Sequence, residues 1–182
     1  MASVRTLFSS TARRATSPRP VVAAGRRMIG RRFLNTETAP VLYSAHARVK
    51  GARSGYVQGD DLQLELTMAK ALGGQGSKGK TNPEELFAAG YGACFQAAMN
   101  AVAAAEGTRM PGGAENSVVD ATVHLVGDMQ ALDMGLRVDL TVGVKGLERE
   151  VVERVVQRAL EVCPYRRATK GNVVTNVRVV DL

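Results

Sequence analysis

Few residues in this 182-residue chain can do redox or metal chemistry, because it contains two cysteines, two histidines and no tryptophan. Cys94 and Cys163 lie 69 residues apart (163 − 94), so they form neither a CxxC redox motif nor a zinc-ligand pattern. Each can be read as a packed structural thiol, since free cysteine is among the most buried residue types. Both can also be read as partners that cycle between dithiol and disulfide, because a reducing compartment leaves little place for a purely structural bridge. His46 and His124 fall on the polar sides of alternating stretches, and their spacing makes them neither ligands nor bases. No metal site is expected.

A third candidate is Gly74, Gly79, Lys80 and Thr81, which satisfy GxxxxGK[ST] between a strand-like and a helix-like stretch. A phosphate-binding loop needs its helix running through the Lys and Thr, with backbone N–H groups turned on the anion. Here Asn82-Pro83 follows directly and marks the helix start two residues late. Nucleotide binding through Gly74–Thr81 is therefore kept as the minority reading.

The element around which the chain is organised runs from Thr81 to Glu106. Asn82 reads as the side-chain cap, Pro83 as the first helical residue, and Glu84 and Glu85 as first-turn carboxylates opposing the macrodipole. From Leu86 to Ala105 only Gln96 and Asn100 are strongly polar, so nearly every face has to be covered by protein. Cys94 lies eleven residues after Pro83, about 16 Å along the axis, where the helix dipole has faded. A thiolate there needs a cation brought from elsewhere.

The other elements follow from periodicity. Val41–Val49 and Leu62–Met68 alternate as half-buried strands of a hairpin, joined by a turn-rich loop holding Arg53 between Gly51 and Gly55. Residues 119–125 and 136–145 alternate likewise, residues 148–163 carry apolar side chains at helical spacing with Cys163 at the buried end, Pro164 ends that helix, and residues 173–179 make a closing strand. The order ββα, ββα, β predicts an α+β fold of antiparallel sheets against helices.

Charge separates the two ends of the chain. The formal net charge is +7, and residues 1–38 hold eight arginines against one glutamate (8 − 1 = +7), leaving sixteen basic and sixteen acidic residues beyond (24 − 8 and 17 − 1). An Arg-rich, acid-poor opening with an amphipathic start reads as a cleavable, disordered mitochondrial transit peptide over residues 1–38, bound for the matrix. The neutral remainder, residues 39–182, lacks basic–aromatic clusters, so no nucleic-acid partner is expected, and no apolar run is long enough for a membrane span.

Three stretches carry a family likeness. TNPEELFAAGYGACF at 81–95, VCPYRRATKGN at 162–172 and LYSAHARVKGARSG at 42–55 resemble the organic hydroperoxide resistance (Ohr) proteins of the OsmC/Ohr superfamily, over about residues 41–182. The resemblance implies an OsmC-like α+β fold with sheets packed around long central helices in an intertwined homodimer. It implies a thiol peroxidase for organic hydroperoxides, with no bound cofactor, that is regenerated by dihydrolipoyl groups of a lipoylated protein. Motif by motif, Cys94 takes the peroxidatic role, Cys163 the resolving role, and Arg53 and Glu84 the active-site arginine and glutamate.

On this reading the Cys94 thiolate attacks a peroxide oxygen, leaving an alcohol and a sulfenic acid, and Cys163 condenses with the sulfenic acid to release water. Arg53 favours the thiolate and polarises the peroxide, while Glu84 orients the guanidinium. Phe87, Tyr91, Phe95 and Met99 are candidates for an apolar substrate pocket, with core packing as the alternative for each. A non-catalytic OsmC-like protein whose cysteines only pack is the further alternative. Glu84 precedes Cys94 by ten residues (94 − 84), about 15 Å along one straight helix, more than a glutamate spans. Either the helix breaks, or the Glu84 beside a given Cys94, with Arg53, comes from a second chain; the helix's apolar faces favour the second chain.

Overall fold

The computed structural model describes residues 34–182, so the expected leader lies almost wholly outside the described residues. The chain divides into a unit ending at Tyr43 and a body, Ser44–Leu182. In the first unit, residues 34–43 form a short turn closed by the Ala39 N–H on the Asn35 carbonyl. The strand expected from Val41 is correspondingly shorter, with β1 covering only Ala47–Lys50.

In the body, β1, β2 (Tyr56–Gly59) and β3 (Gln63–Glu65) form an antiparallel sheet in that order. The expected two-strand hairpin is thus a three-strand meander. The extra strand lies inside the Gly-rich loop, where Tyr56-Val57-Gln58 is too short a run to announce itself between glycines. The turn between β1 and β2 is a 3-10 turn, Ala52–Ser54, which carries Arg53. A Cβ on Gly55 would lie 1.7 Å from the Lys50 carbonyl oxygen, so this turn closes only around glycine.

The helix α1, Pro83–Ala105, begins where the sequence marks it, with the Asn82 side chain accepting the Glu85 N–H at 2.8 Å. It runs unbroken for 23 residues. One face, including Tyr91, Phe95, Ala98, Met99, Val102 and Ala103, is buried. The other, with Ala89, Ala93, Ala97, Ala101 and Ala104, is exposed in the single chain. Only half of the all-apolar surface expected to be covered is covered by the chain itself.

The strands β4 (Ser117–Asp128) and β5 (Asp133–Val144) pair antiparallel along their whole length. The helix α2, Arg149–Val162, crosses back to bury Val152, Val155, Val156 and Ala159 against α1. Pro164 ends α2 as expected but also opens α3, Pro164–Thr169, since a proline that cannot continue one helix suits the first position of the next. Finally β6, Val174–Val180, pairs with β5 in parallel, which corrects the expectation of purely antiparallel sheets. Alternation reports which face a residue takes, not the direction of its neighbour, and the α2–α3 crossover returns the chain to the start of β5's direction. The core lies between the β4-β5-β6 sheet and the packed helices α1 and α2.

Candidate active site

Cys94 projects from the middle of α1, half-buried, and Cys163 sits at the joint of α2 and α3, 0% exposed. Packing of α1 against α2 and α3 brings the sulfurs together: the Cys163 thiol donates to Cys94 Sγ at 3.6 Å. Burial pushes the Cys163 thiol up, and contact with Cys94 adds to this, while the backbone N–H groups of Arg166 and Tyr165 at the start of α3 partly offset it. Burial thus favours the protonated thiol at Cys163, in contact with Cys94 Sγ.

Arg53 and Glu84 meet. The guanidinium donates twice to the carboxylate, Nη2 to Oε1 at 2.7 Å and Nη1 to Oε2 at 2.8 Å, with side-chain exposures of 31% and 16%. Hydrogen bonding to Arg53 holds the Glu84 carboxyl below its usual range, and the same pairing raises Arg53. The pair sits at the N-terminal end of α1, and because α1 has no break, its carboxylate stands about 15 Å along the axis from Cys94 of the same chain. One chain therefore unites the two sulfurs and unites Arg53 with Glu84, as two separate halves.

The pocket candidates divide. Tyr91, Phe95 and Met99 are fully buried in the core, where packing accounts for them. The Tyr91 hydroxyl shares hydrogen bonds of 3.3 Å with Thr169 and Thr175, tying α1 to α3 and β6. Phe87 is half-buried and packs edge-on against Tyr91, ring centroids 5.9 Å apart. Beside it stands a residue the sequence reading passed over, Tyr165, whose exposed ring lies 6.3 Å from Phe87 and 5.9 Å from Tyr91. A Cβ on Gly90 would meet the Tyr165 hydroxyl at 3.1 Å, so the glycine seats this ring on α1 one turn before Cys94. The signal available was the helical spacing of Phe87, Gly90 and Cys94, which puts them on one face.

The phosphate-loop match resolves differently. Among residues 74–81, the N–H groups of Gly74, Gly76, Ser77, Lys80 and Thr81 are all bonded within the loop or to Glu65, Thr67, Met68 and Ala69. Lys80 pairs with Glu65 at 2.8 Å and the Thr81 hydroxyl donates to Glu85 at 2.7 Å. A loop that binds phosphate keeps such donors free. Among the described residues, no group of acidic, His and Cys side chains could hold a metal, and no helix is long and apolar enough to cross a membrane. His124 is engaged with Asp139 at 3.0 Å on the outer sheet face.

Two sulfurs in contact at a helix joint thus lie on an α+β frame that also carries a bidentate arginine–glutamate pair. The profile of the OsmC-like protein family matches residues 74–178. The organic hydroperoxide resistance protein of Xanthomonas axonopodis pv. citri is 42% identical over 135 residues, 73% of this chain and 91% of the relative. The crystal structure of the Legionella pneumophila organic hydroperoxide resistance protein superposes with a TM-score of 0.69 at 38% identity, covering 77% of this chain and 98% of that one. That of Bacillus subtilis OhrB gives 0.67 at 35% identity, covering 77% and 100%. The chain belongs to the OsmC/Ohr family, and the OsmC-like α+β fold holds as expected.

Proposed function

We propose that the protein is a cysteine-based peroxidase that reduces organic hydroperoxides. The observation that carries this is the contact of Cys163 with Cys94 Sγ at 3.6 Å, made by residues far apart in sequence and with Cys163 as the donor. The Cys94 thiolate attacks one peroxide oxygen, the O–O bond breaks, an alcohol leaves after protonation, and Cys94 becomes a sulfenic acid. Cys163 displaces the hydroxyl as water, giving the Cys94–Cys163 disulfide. A dihydrolipoyl group of a lipoylated protein then takes up the disulfide in two exchange steps. Phe87 and Tyr165 supply apolar surface near Cys94 for an alkyl or lipid tail, which hydrogen peroxide lacks.

The site is completed by a second copy of the chain. Arg53 and Glu84 of one chain cannot reach its own Cys94 along an unbroken helix, and the exposed alanine face of α1 offers a close helix–helix contact. In such a homodimer, the Arg53–Glu84 pair of each chain serves the Cys94 of the other, favouring the thiolate and polarising the peroxide. Residues 1–38 would deliver the protein to the mitochondrial matrix. Their attachment to a fluorescent reporter should direct it there, and cytosolic retention would count against this.

The decisive experiment adds one equivalent of tert-butyl hydroperoxide to the reduced protein and follows thiols and peroxide by stopped flow and mass spectrometry. Wild type should lose both thiols and gain a Cys94–Cys163 link. Cys94→Ser should leave the peroxide untouched, and Cys163→Ser should consume one equivalent and stall at an oxidised Cys94. Survival of both wild-type thiols would refute the assignment.

A further inference from the structure

We propose that the short helix α3 and the residue after it, through Arg166, Arg167 and Lys170, form the docking surface for the reductant of the disulfide, and that this reductant is a protein presenting an acidic surface around its dithiol. The inference rests on the peroxidase reading above. It begins from an uneven distribution of charge. Beyond residue 38 acids and bases balance at sixteen each (17 − 1 and 24 − 8), yet from Val162 to Val180 there is no acid, against Arg166, Arg167, Lys170 and Arg178.

The cations of α2 are tied down: Arg149 to Glu153, Arg154 to Glu106, and Arg158 to Glu161. Those of α3 are not. Among the described residues none of Arg166, Arg167 and Lys170 has a carboxylate within ion-pair distance, and the acid nearest before them, Glu161, is engaged by Arg158. Arg167 and Lys170 are exposed, and Arg166 is half-buried, with its enclosed Nη1 lacking an acceptor. A cluster without an ion-pair partner among the described residues presents its potential outward.

Position makes the cluster relevant to the sulfurs. The helix α3 starts at Pro164, directly after Cys163, so all three cations lie within two turns of the disulfide to be reduced. Arg166 and Lys170, four residues apart, share a face, and Arg167 stands about 100° around from Arg166. A single carboxylate of a small molecule meets at most two of these cations, whereas the surface of a protein can meet all three. Cys163 is fully buried and Cys94 half-buried, so the incoming thiolate attacks Cys94 Sγ. The S–S bond breaks, Cys163 leaves and takes up a proton, and the second thiol of the reductant then closes on the mixed disulfide and frees Cys94. The dithiol is oxidised to its disulfide, and two electrons and two protons pass to the cysteines.

The test uses protein oxidised by one equivalent of tert-butyl hydroperoxide, mixed rapidly with either free dihydrolipoamide or a reduced, acidic lipoyl domain from a dehydrogenase complex. At low ionic strength the lipoyl domain should reduce wild type about tenfold faster than it reduces the Arg167→Glu, Lys170→Glu variant, and its advantage should fall as salt is raised. The Arg167→Gln, Lys170→Gln variant should fall between. Dihydrolipoamide should reduce wild type and variants at equal rates, and peroxide consumption should be unchanged. A rate with the lipoyl domain insensitive to both salt and charge overturns the docking surface and leaves the peroxidase intact. So does a variant whose only change is a raised KM for a fatty-acid hydroperoxide, which would make the patch a site for the substrate carboxylate. Failure of both reductants to open the disulfide refutes the lipoyl-dependent cycle and the docking surface together.

Discussion

Cys163 is fully enclosed by the fold. Its thiol is pushed up by burial, so the folded protein keeps its proton at a pH where an unfolded chain, with an ordinary value of about 8.5, has begun to lose it. A raised value contributes stability that is complete below the unfolded value and is lost as pH rises through the folded one. Between pH 8 and 10, the melting temperature of reduced wild type should therefore fall more steeply than that of Cys163→Ser, and parallel curves would remove burial as the cause. Glu84 works in the opposite sense. Its lowered carboxyl contributes stability above about pH 4.3 that is lost on acidification, so Glu84→Gln should cost about 1 kcal/mol at pH 7 and progressively less as the pH falls below about 4.3, read by urea unfolding. Gly90→Ala should displace Tyr165 and raise KM for a long-chain hydroperoxide more than for tert-butyl hydroperoxide, measured in steady state.

At the scale of elements, α1 depends on its first turn. Asn82→Ala removes the acceptor of the Glu85 N–H and should lower stability by about 1 kcal/mol in denaturant titration, with Asn82→Asp retaining it. This cap was legible in the sequence because Asn-Pro-Glu-Glu is a local signal, and α2 because its valines recur at helical spacing. The two cysteines and the Arg53–Glu84 pair were legible only through whole motifs, since nothing local says that residue 163 returns to residue 94. What escaped the sequence was relational: β2 hidden among glycines, the parallel direction of β6, and Tyr165 lying over Gly90. The same limit explains Tyr91, Phe95 and Met99. Apolar helix residues look alike whether they face a pocket or a core, and only packing against the β4-β5-β6 sheet and α2 places them in the core.

At the scale of the molecule, a single chain is half of each proposed site. Mixing Cys94→Ser protein with Arg53→Ala, Glu84→Ala protein, each inactive alone, should restore about one working site per mixed dimer once subunits exchange, assayed by hydroperoxide consumption. A mixture that stays inactive after proven exchange would place the arginine, glutamate and cysteine of each site on one chain. The contact between Cys94 and Cys163 bears also on how long the protein lasts. Bridging positions 69 residues apart (163 − 94) ties the first long helix to the joint of the other two, and a loop of that size restricts the unfolded chain by about 4 kcal/mol. In the proposed cycle, molecules that have just spent their electrons should accordingly be the slowest to unfold and the most resistant to proteolysis. When reductant is scarce, the protein would persist in its oxidised form, a durable stock that becomes active again as soon as dithiols return.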